Sequence, residues 1–140
     1  MQLSKRLEAV VRLAGTCQCI ADIGTDHGYI PIYMVEQHLA ERAIAMDVNK
    51  GPLERAQKNI QAYRMEDKIV TRLSDGTAAL KSGEADGVII AGMGGLLTIR
   101  ILEAGEKNLK TVQTLVLQPQ SELEQVRKFL AGHGYRITAE

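Results

Sequence analysis

The sequence predicts an α/β fold, a mostly parallel sheet with helices on both faces. Two observations predict it. Short, continuously apolar runs such as Val88 to Ala91 recur along the chain, as buried strands of a doubly covered sheet require. Between these runs lie segments with apolar residues at helical spacing, and regular alternation of the two is the mark of βαβ units. In such a sheet ligands bind beyond the carboxyl ends of the strands, where the strand order reverses.

The elements follow in order. Leu7, Val10, Val11 and Ala14 fall at helical spacing within residues 3–14, with Ser4 placed as the cap. Cys19 to Ile23 reads as the first strand, and Pro31 suits the first turn of a helix running to about Leu39. Ala43 to Met46 is the second strand, and Gly51-Pro52 opens a helix through Tyr63. Ile69 to Leu73 is the third strand, and a short helix is expected after Asp75-Gly76. Val88 to Ala91 is the fourth strand, and Leu96 to Ala104 a helix stopped by Gly105. Leu115 to Gln118 is the fifth strand, residues 122–131 a helix, and Tyr135 to Ala139 a sixth strand.

With 140 residues, of which 45% are hydrophobic, the chain is expected to form one domain, residues 1–140, with a real core. No apolar run approaches the ~20 residues that span a bilayer, and the start does not resemble a signal peptide. The sequence therefore reads as cytoplasmic, with no membrane partner. Its 17 basic and 17 acidic side chains cancel, so the overall positive charge of a typical nucleic-acid binder is missing. A local basic stretch exists nonetheless: Lys50 to Arg72 holds six basic residues against three acidic ones, and Lys5, Arg6 and Arg12 add to the first helix. Cys17 and Cys19 share a strand face, which is poor geometry for an internal disulfide, so both read as reduced core thiols. The three histidines lie far apart in sequence, and no metal site is expected. No protein partner is evident.

The most informative stretch is Ala21-Asp22-Ile23-Gly24-Thr25-Asp26-His27-Gly28-Tyr29, directly behind the first apolar run. It joins a buried strand to a helix through a glycine-rich bend, where backbone can approach a ligand closely. In dinucleotide-binding loops the second glycine lets a pyrophosphate sit on the backbone; here Asp26 occupies that place and would repel it. A ligand with an ammonium, a sulfonium and no phosphate is favoured instead, which describes S-adenosylmethionine. Taken alone, the same residues also make an ordinary strand-to-helix turn.

Asp47 and Asp75 follow the next two strands. The two oxygens of Asp47 suit a ribose diol, and Asp75 with Gly76 suits an adenine amino group, although Ser-Asp-Gly is also a plain turn signature. The fourth strand ends in Ala91-Gly92-Met93-Gly94-Gly95, where enzymes that methylate exocyclic adenine amines carry Asn-Pro-Pro-Tyr; that route is disfavoured. Gln118 and Pro119 close the fifth strand at the same mouth. His27 can exchange a proton near neutral pH, and Tyr29 can stack on a base.

In this order and spacing, the segments LSKRL, ADIGTDHGYIP, LSDG, IAGMGG, ILEAG and LVLQPQ resemble the bacterial tRNA (adenine-22-N1)-methyltransferase family over the whole chain. The resemblance implies a Rossmann-like class I methyltransferase fold, S-adenosylmethionine as cofactor and tRNA as partner. Asp22, Gly24 and Gly28 would shape the methionine end of the cofactor, Asp47 the ribose, Asp75 and Gly76 the adenine, and Ala91, Gly92 and Met93 the remaining wall. Asp26, His27 and Tyr29 would act at the target base, with Gln118 and Pro119 binding it. Against that family's pattern the chain is expected to be truncated inside strand six, before an antiparallel seventh strand and a helical extension. Three other readings of the residues stand beside this one: a nicotinamide-dependent dehydrogenase, a methyltransferase for another RNA, protein or small molecule, and a non-catalytic RNA-binding domain.

Overall fold

The computed structural model describes all 140 residues, Met1–Glu140. In chain order the elements are α1 (Lys5–Ala14), β1 (Cys17–Ile23), α2 (Tyr29–Glu36), β2 (Ala40–Asp47), α3 (Lys50–Ala62), β3 (Ile69–Leu73), β4 (Gly87–Met93), α4 (Gly95–Ala104), β5 (Thr114–Pro119) and α5 (Leu123–Gly132). The strands form one sheet in the order β3-β2-β1-β4-β5, and every neighbouring pair is parallel. The chain winds outward from β1 to β3, then returns to place β4 on the other flank of β1. The order therefore reverses between β1 and β4, and their carboxyl ends flank the crevice where α/β sheets hold ligands.

Strand side chains alternate between two cores, as a period of two dictates. Ile20, Ala43, Ala45 and Ile89 pack against α1, α2 and α3 through Val10, Val11, Ile32, Met34 and Ile60. Ala21, Ile23, Ile44, Met46, Val88 and Ile90 pack on the opposite face against α4 and α5 through Ile101, Leu102, Val126 and Leu130. Full burial of each Val, Leu, Ile or Met side chain among these stabilises by about 1.5–3 kcal/mol. The mid-sheet is thus held by apolar packing, which leaves the strand tips free to carry polar groups. Asp22 has the parity of Ile20 and Asp47 that of Ala45, so both acids face the α1–α3 side.

Long-range polar ties set the strand ends. The Asp86 carboxylate, just before β4, accepts from the N–H of Gln18 (3.0 Å) and of Cys19 (2.8 Å), and so fixes the start of β1 against β4. At the end of β3 the Arg72 guanidinium grips Glu84 through two bonds of 2.6 and 2.7 Å and also donates to the carbonyl of Ala79 at 3.0 Å. The hydrogen bond from Arg72 holds the Glu84 carboxyl well below its ordinary range, at about 2. Both cysteines are free: Cys19 is buried, and burial pushes the half-buried Cys17 thiol up to about 11.

Two expected elements do not form. Residues 76–79 make turns instead of a short helix. The Ser74 hydroxyl donates to the Gly76 carbonyl (2.8 Å) and accepts from the Ala79 N–H (3.0 Å), satisfying the backbone in a non-helical way, while Gly76 adopts φ +57°. The sixth strand expected at Tyr135 to Ala139 is also absent. A strand needs a ladder partner, and these residues line a groove of about 590 Å³ along the outer edge of β5 without pairing to it. No helix is long and apolar enough to cross a membrane.

Candidate functional site

Apolar strand interiors deliver three acids, Asp22, Asp47 and Asp75, to the carboxyl edge of the sheet, and the charge of Asp47 acts on Asp22. Asp47, only 8% exposed, ends β2. Its Oδ1 accepts from the N–H of Asn49 at 3.0 Å, an Asx-type turn that leads into α3. Its Oδ2 accepts from the N–H of Asp26 at 3.3 Å, and so clamps the loop that follows β1. The same loop is pinned by Met46, whose carbonyl accepts from the N–H groups of both Gly24 and Thr25 at 2.9 Å. Each Asp47 oxygen takes one backbone donor, which leaves it capacity for a second.

Asp22 is 3% exposed, at the end of β1. Burial pushes its carboxyl up to about 7; the nearby Thr25 hydroxyl works against that rise, and the Asp47 charge adds to it. The Thr25 hydroxyl oxygen is buried and lacks a hydrogen bond of regular geometry, so it relieves Asp22 by proximity alone. Two acids on one sheet face, one of them desolvated, create a local demand for positive charge.

Glycines shape the crevice between β1 and β4. Gly24 has φ +75°, and a Cβ there would run into the Met93 methyl group. The β4 tip thereby closes over the β1 loop at the point where the strand order reverses. Gly28, at φ +76°, caps α2 and lies against Ala56 of α3, whose Cα is 3.4 Å from where its Cβ would be. Gly92 sits at a register slip in β4, where Ala91 pairs with Gln118 and Met93 with Pro119. Gly24→Ala is expected to strain the left-handed backbone by roughly 1–2 kcal/mol and to displace Met93. Thermal melts should show the loss. Met93→Ala in the same chain should recover the space but not the backbone strain; full recovery of the melting temperature would contradict this account.

The remaining predicted residues fall into three separate groups. Asp26, at φ +57° and largely exposed, pairs with Arg55 Nη2 of α3 at 3.0 Å and approaches His27 Nε2 at 3.6 Å. The His27 ring stacks on Tyr29, with centroids 5.0 Å apart and planes 13° from parallel. The carbonyl of His27 accepts from Asn59 Nδ2 at 2.9 Å. Gln118 and Pro119 lie two strands from β1, about 10 Å across the sheet, and are held from the α1 side: Gln118 Oε1 accepts from Arg6 Nη1 at 2.8 Å. Asp75 and Gly76 are one strand beyond Asp47, connected through the Ser74 N–H, which donates to the Asp47 carbonyl at 2.9 Å. Asp75 is exposed, whereas Gly76 packs on Ile101 of α4.

Arg6, Arg55 and Asn59 were not singled out by sequence. Their partners lie 112, 29 and 32 positions away; general basic character on two helices was the only signal for the arginines, and Asn59 had none. No group of three His, Cys, Asp or Glu side chains is arranged to hold a metal ion. A second groove, of about 500 Å³ between the ends of α4 and α5, includes none of the predicted site residues.

A five-stranded parallel sheet covered on both faces, with acids at successive strand tips and a glycine-lined switch point, defines a Rossmann-like α/β domain. The profile of the methyltransferase domain family matches residues 3–140, and the chain belongs to that family. It is 39% identical over 140 residues to the tRNA (adenine(22)-N(1))-methyltransferase of Bacillus subtilis, covering 100% of this chain and 59% of that protein. Among solved structures, Streptococcus pneumoniae Sp1610 in complex with S-adenosyl-L-methionine matches with a TM-score of 0.95 and 40% identity, covering 99% of this chain and 65% of that one. Mycoplasma capricolum TrmK in complex with S-adenosyl-homocysteine matches with a TM-score of 0.89 and 32% identity, covering 100% and 62%. The chain spans about three fifths of the length of the curated relatives it matches.

Proposed function

We propose that residues 1–140 form the cofactor-binding domain of an S-adenosylmethionine-dependent methyltransferase that acts on N1 of adenine 22 in tRNA. The observation that carries this reading is the joint placement of Asp22 and Asp47 on one sheet face beside the Gly24–Met93 crevice. The likeness to proteins of that named activity narrows the substrate.

The residues fit the cofactor. Asp47 retains an acceptor site on each oxygen, as a ribose diol needs, and Asp22 offers buried negative charge for an ammonium. Gly24 lets the Met93 methyl group close on the β1 loop, where a Cβ would collide with it. Asp75 and Gly76 lie next along the edge for the adenine, Gly28 fixes the start of α2, and Ala91 to Met93 form the far wall. When bound, S-adenosylmethionine supplies an electrophilic methyl group on a sulfonium.

The adenine N1 lone pair lies in the ring plane, so the protein need not provide a nucleophile; its task is alignment. N1 also lies on the pairing edge, so the target must be unpaired or swung out. Methylation leaves the ring cationic. Asp26, whose carboxylate is anchored by Arg55, would stabilise that charge or accept the N6 proton afterwards. His27 and Tyr29 present a stacked aromatic pair beside it, suited to a flat base. Asp26→Asn should therefore leave cofactor affinity near wild type and lower the transfer rate, on the order of 10²-fold; equal losses in both would remove Asp26 from this role.

The test is direct. The chain is incubated with unmodified tRNA and methyl-labelled S-adenosylmethionine, and the digested product is mapped by mass spectrometry. 1-Methyladenosine at position 22, lost when that adenine is replaced by guanine, is the expected result. Transfer elsewhere, or to no RNA while S-adenosylhomocysteine still raises the melting temperature, would overturn the substrate assignment. Stabilisation by NADH instead would overturn the cofactor.

A further inference from the structure

Gln118 is held in a way that its position in the sequence does not disclose. Its Oε1 accepts from Arg6 Nη1 at 2.8 Å and from the Gly92 N–H at 3.0 Å. An amide oxygen has two lone pairs, so both are taken. The two donors also settle which end of the amide is oxygen: a flipped side chain would set its own N–H groups against them and lose both bonds. Gln118 Nε2 meets no protein acceptor and remains a pure hydrogen-bond donor at the open end of the sheet.

Three separate parts of the chain build this arrangement. Arg6 belongs to the first turn of α1, whose start is fixed by the Ser4 hydroxyl accepting from the Leu7 N–H at 3.3 Å. The Gly92 N–H is available because the β4–β5 register slips there, with Gly92 at φ +75°. Gln118 itself is the last residue but one of β5. A guanidinium donor, a bulged glycine and a strand-end amide converge, and the fold has no packing need for them: Arg6 and Gly92 are both exposed.

We infer that Arg6 is a positioning residue for methyl transfer, which together with Gly92 turns the Gln118 amide into a fixed donor for an acceptor atom on the target purine. This rests on the reading proposed above. Such a donor contributes orientation and selectivity: a base offering a ring nitrogen or carbonyl oxygen at that point is held, whereas one offering an N–H meets donor against donor. A plain electrostatic role for Arg6, contacting an RNA phosphate, would act independently of Gln118.

A double-mutant cycle on the full chain separates the two. Arg6→Ala, Gln118→Ala and the double variant are compared for kcat and KM with unmodified tRNA, alongside S-adenosylhomocysteine affinity and Tm. Each single change is expected to lower kcat about tenfold or more, with cofactor affinity and Tm close to wild type. The double variant should be no worse than Gln118→Ala, because residues that act as one unit are not additive. Gln118→Glu keeps an acceptor for Arg6 and Gly92 but loses the donor, and should fall as far as Gln118→Ala. Additive losses, a change confined to KM in Arg6→Ala, or a fully active Gln118→Glu would overturn the inference while leaving the tRNA reading intact. A wild-type chain that binds S-adenosylhomocysteine but methylates no tRNA would overturn that reading, and this inference with it.

Discussion

Asp47→Ala is expected to weaken S-adenosylhomocysteine binding by about a hundredfold or more, the largest loss of any single substitution at the strand tips. A hundredfold corresponds to roughly 2.7 kcal/mol, within the range for charge-assisted hydrogen bonds when two are lost together. The effect is larger than a lost ligand contact alone would give, because Asp47 also assembles the site. Its two oxygens hold the N–H groups of Asp26 and Asn49, and its carbonyl accepts from Ser74. Alanine keeps the carbonyl bond and orphans the other two donors in a half-buried setting, at about 1–3 kcal/mol each. Asp26 sits at φ +57°, a conformation a non-glycine residue holds only where its surroundings insist. With the clamp gone, the loop from Gly24 to Gly28 is expected to loosen. Asp47→Asn retains one acceptor oxygen and turns an NH₂ toward the other donor, so it should fall between wild type and alanine. Calorimetric titration and thermal melts on both variants check this. Affinity near wild type in Asp47→Ala would remove Asp47 from the ligand.

What the sequence disclosed and what it hid follow from the range of the interactions. The β1 loop was legible because its instructions are local: Asp22, Gly24, Asp26 and Gly28 lie within seven residues behind one apolar run, and the structure gives Gly24 and Gly28 the positive φ that only glycine takes without strain. The strands were legible for the same reason. β3 matches its expected bounds, and the other four extend one to three residues beyond theirs at one or both ends, where ladder bonds from a neighbour prolong a strand past its apolar core. The failures lie where a partner decides. A short helix was expected after Asp75-Gly76, but the Ser74 hydroxyl bonds the backbone there in a non-helical way. Tyr135 to Ala139 had strand composition but run beside the open edge of β5 without pairing to it.

The polar scaffold of the mouth was hidden most completely. Asp26 and Gln118 were expected to face a base, with no partner foreseen for either. Each is tethered by a guanidinium, Arg55 from α3 and Arg6 from α1, on opposite flanks of the crevice. Arginine on a helix surface reads as a solvated charge until the fold supplies its partner. The basic character of α1 and α3, visible in sequence as composition, acquires in the structure two specific attachments at the carboxyl end of the sheet.

Asp22 gives the second large effect, and its sign is opposite to that of an ordinary carboxylate. Burial raises its folded value to about 7 from the ordinary 3.8, so between those limits the folded chain keeps a proton that the unfolded chain has lost. Stability must therefore fall as pH rises from about 4 to about 7 and level off above, by up to ~4 kcal/mol. Asp22→Asn removes that cost: it should melt higher than wild type at pH 8 and no higher at pH 4. Ligand binding should run the other way. The ligand's ammonium favours the ionised carboxylate and must displace its proton near neutrality, so S-adenosylhomocysteine affinity in wild type should rise through pH 7 with proton release. In Asp22→Asn that rise should vanish and affinity should be weaker at pH 8, although the protein is more stable. Titration calorimetry at pH 6 and 8, each in two buffers of different ionisation enthalpy, counts the protons released. The neighbouring Asp47 charge, which helps to raise Asp22, makes an internal control: Asp47→Asn should shift the wild-type profile to lower pH. A flat profile in wild type, or a stability loss at pH 8 in Asp22→Asn, would show that Asp22 is already ionised and satisfied within the fold, and would leave the crevice without its demand for positive charge.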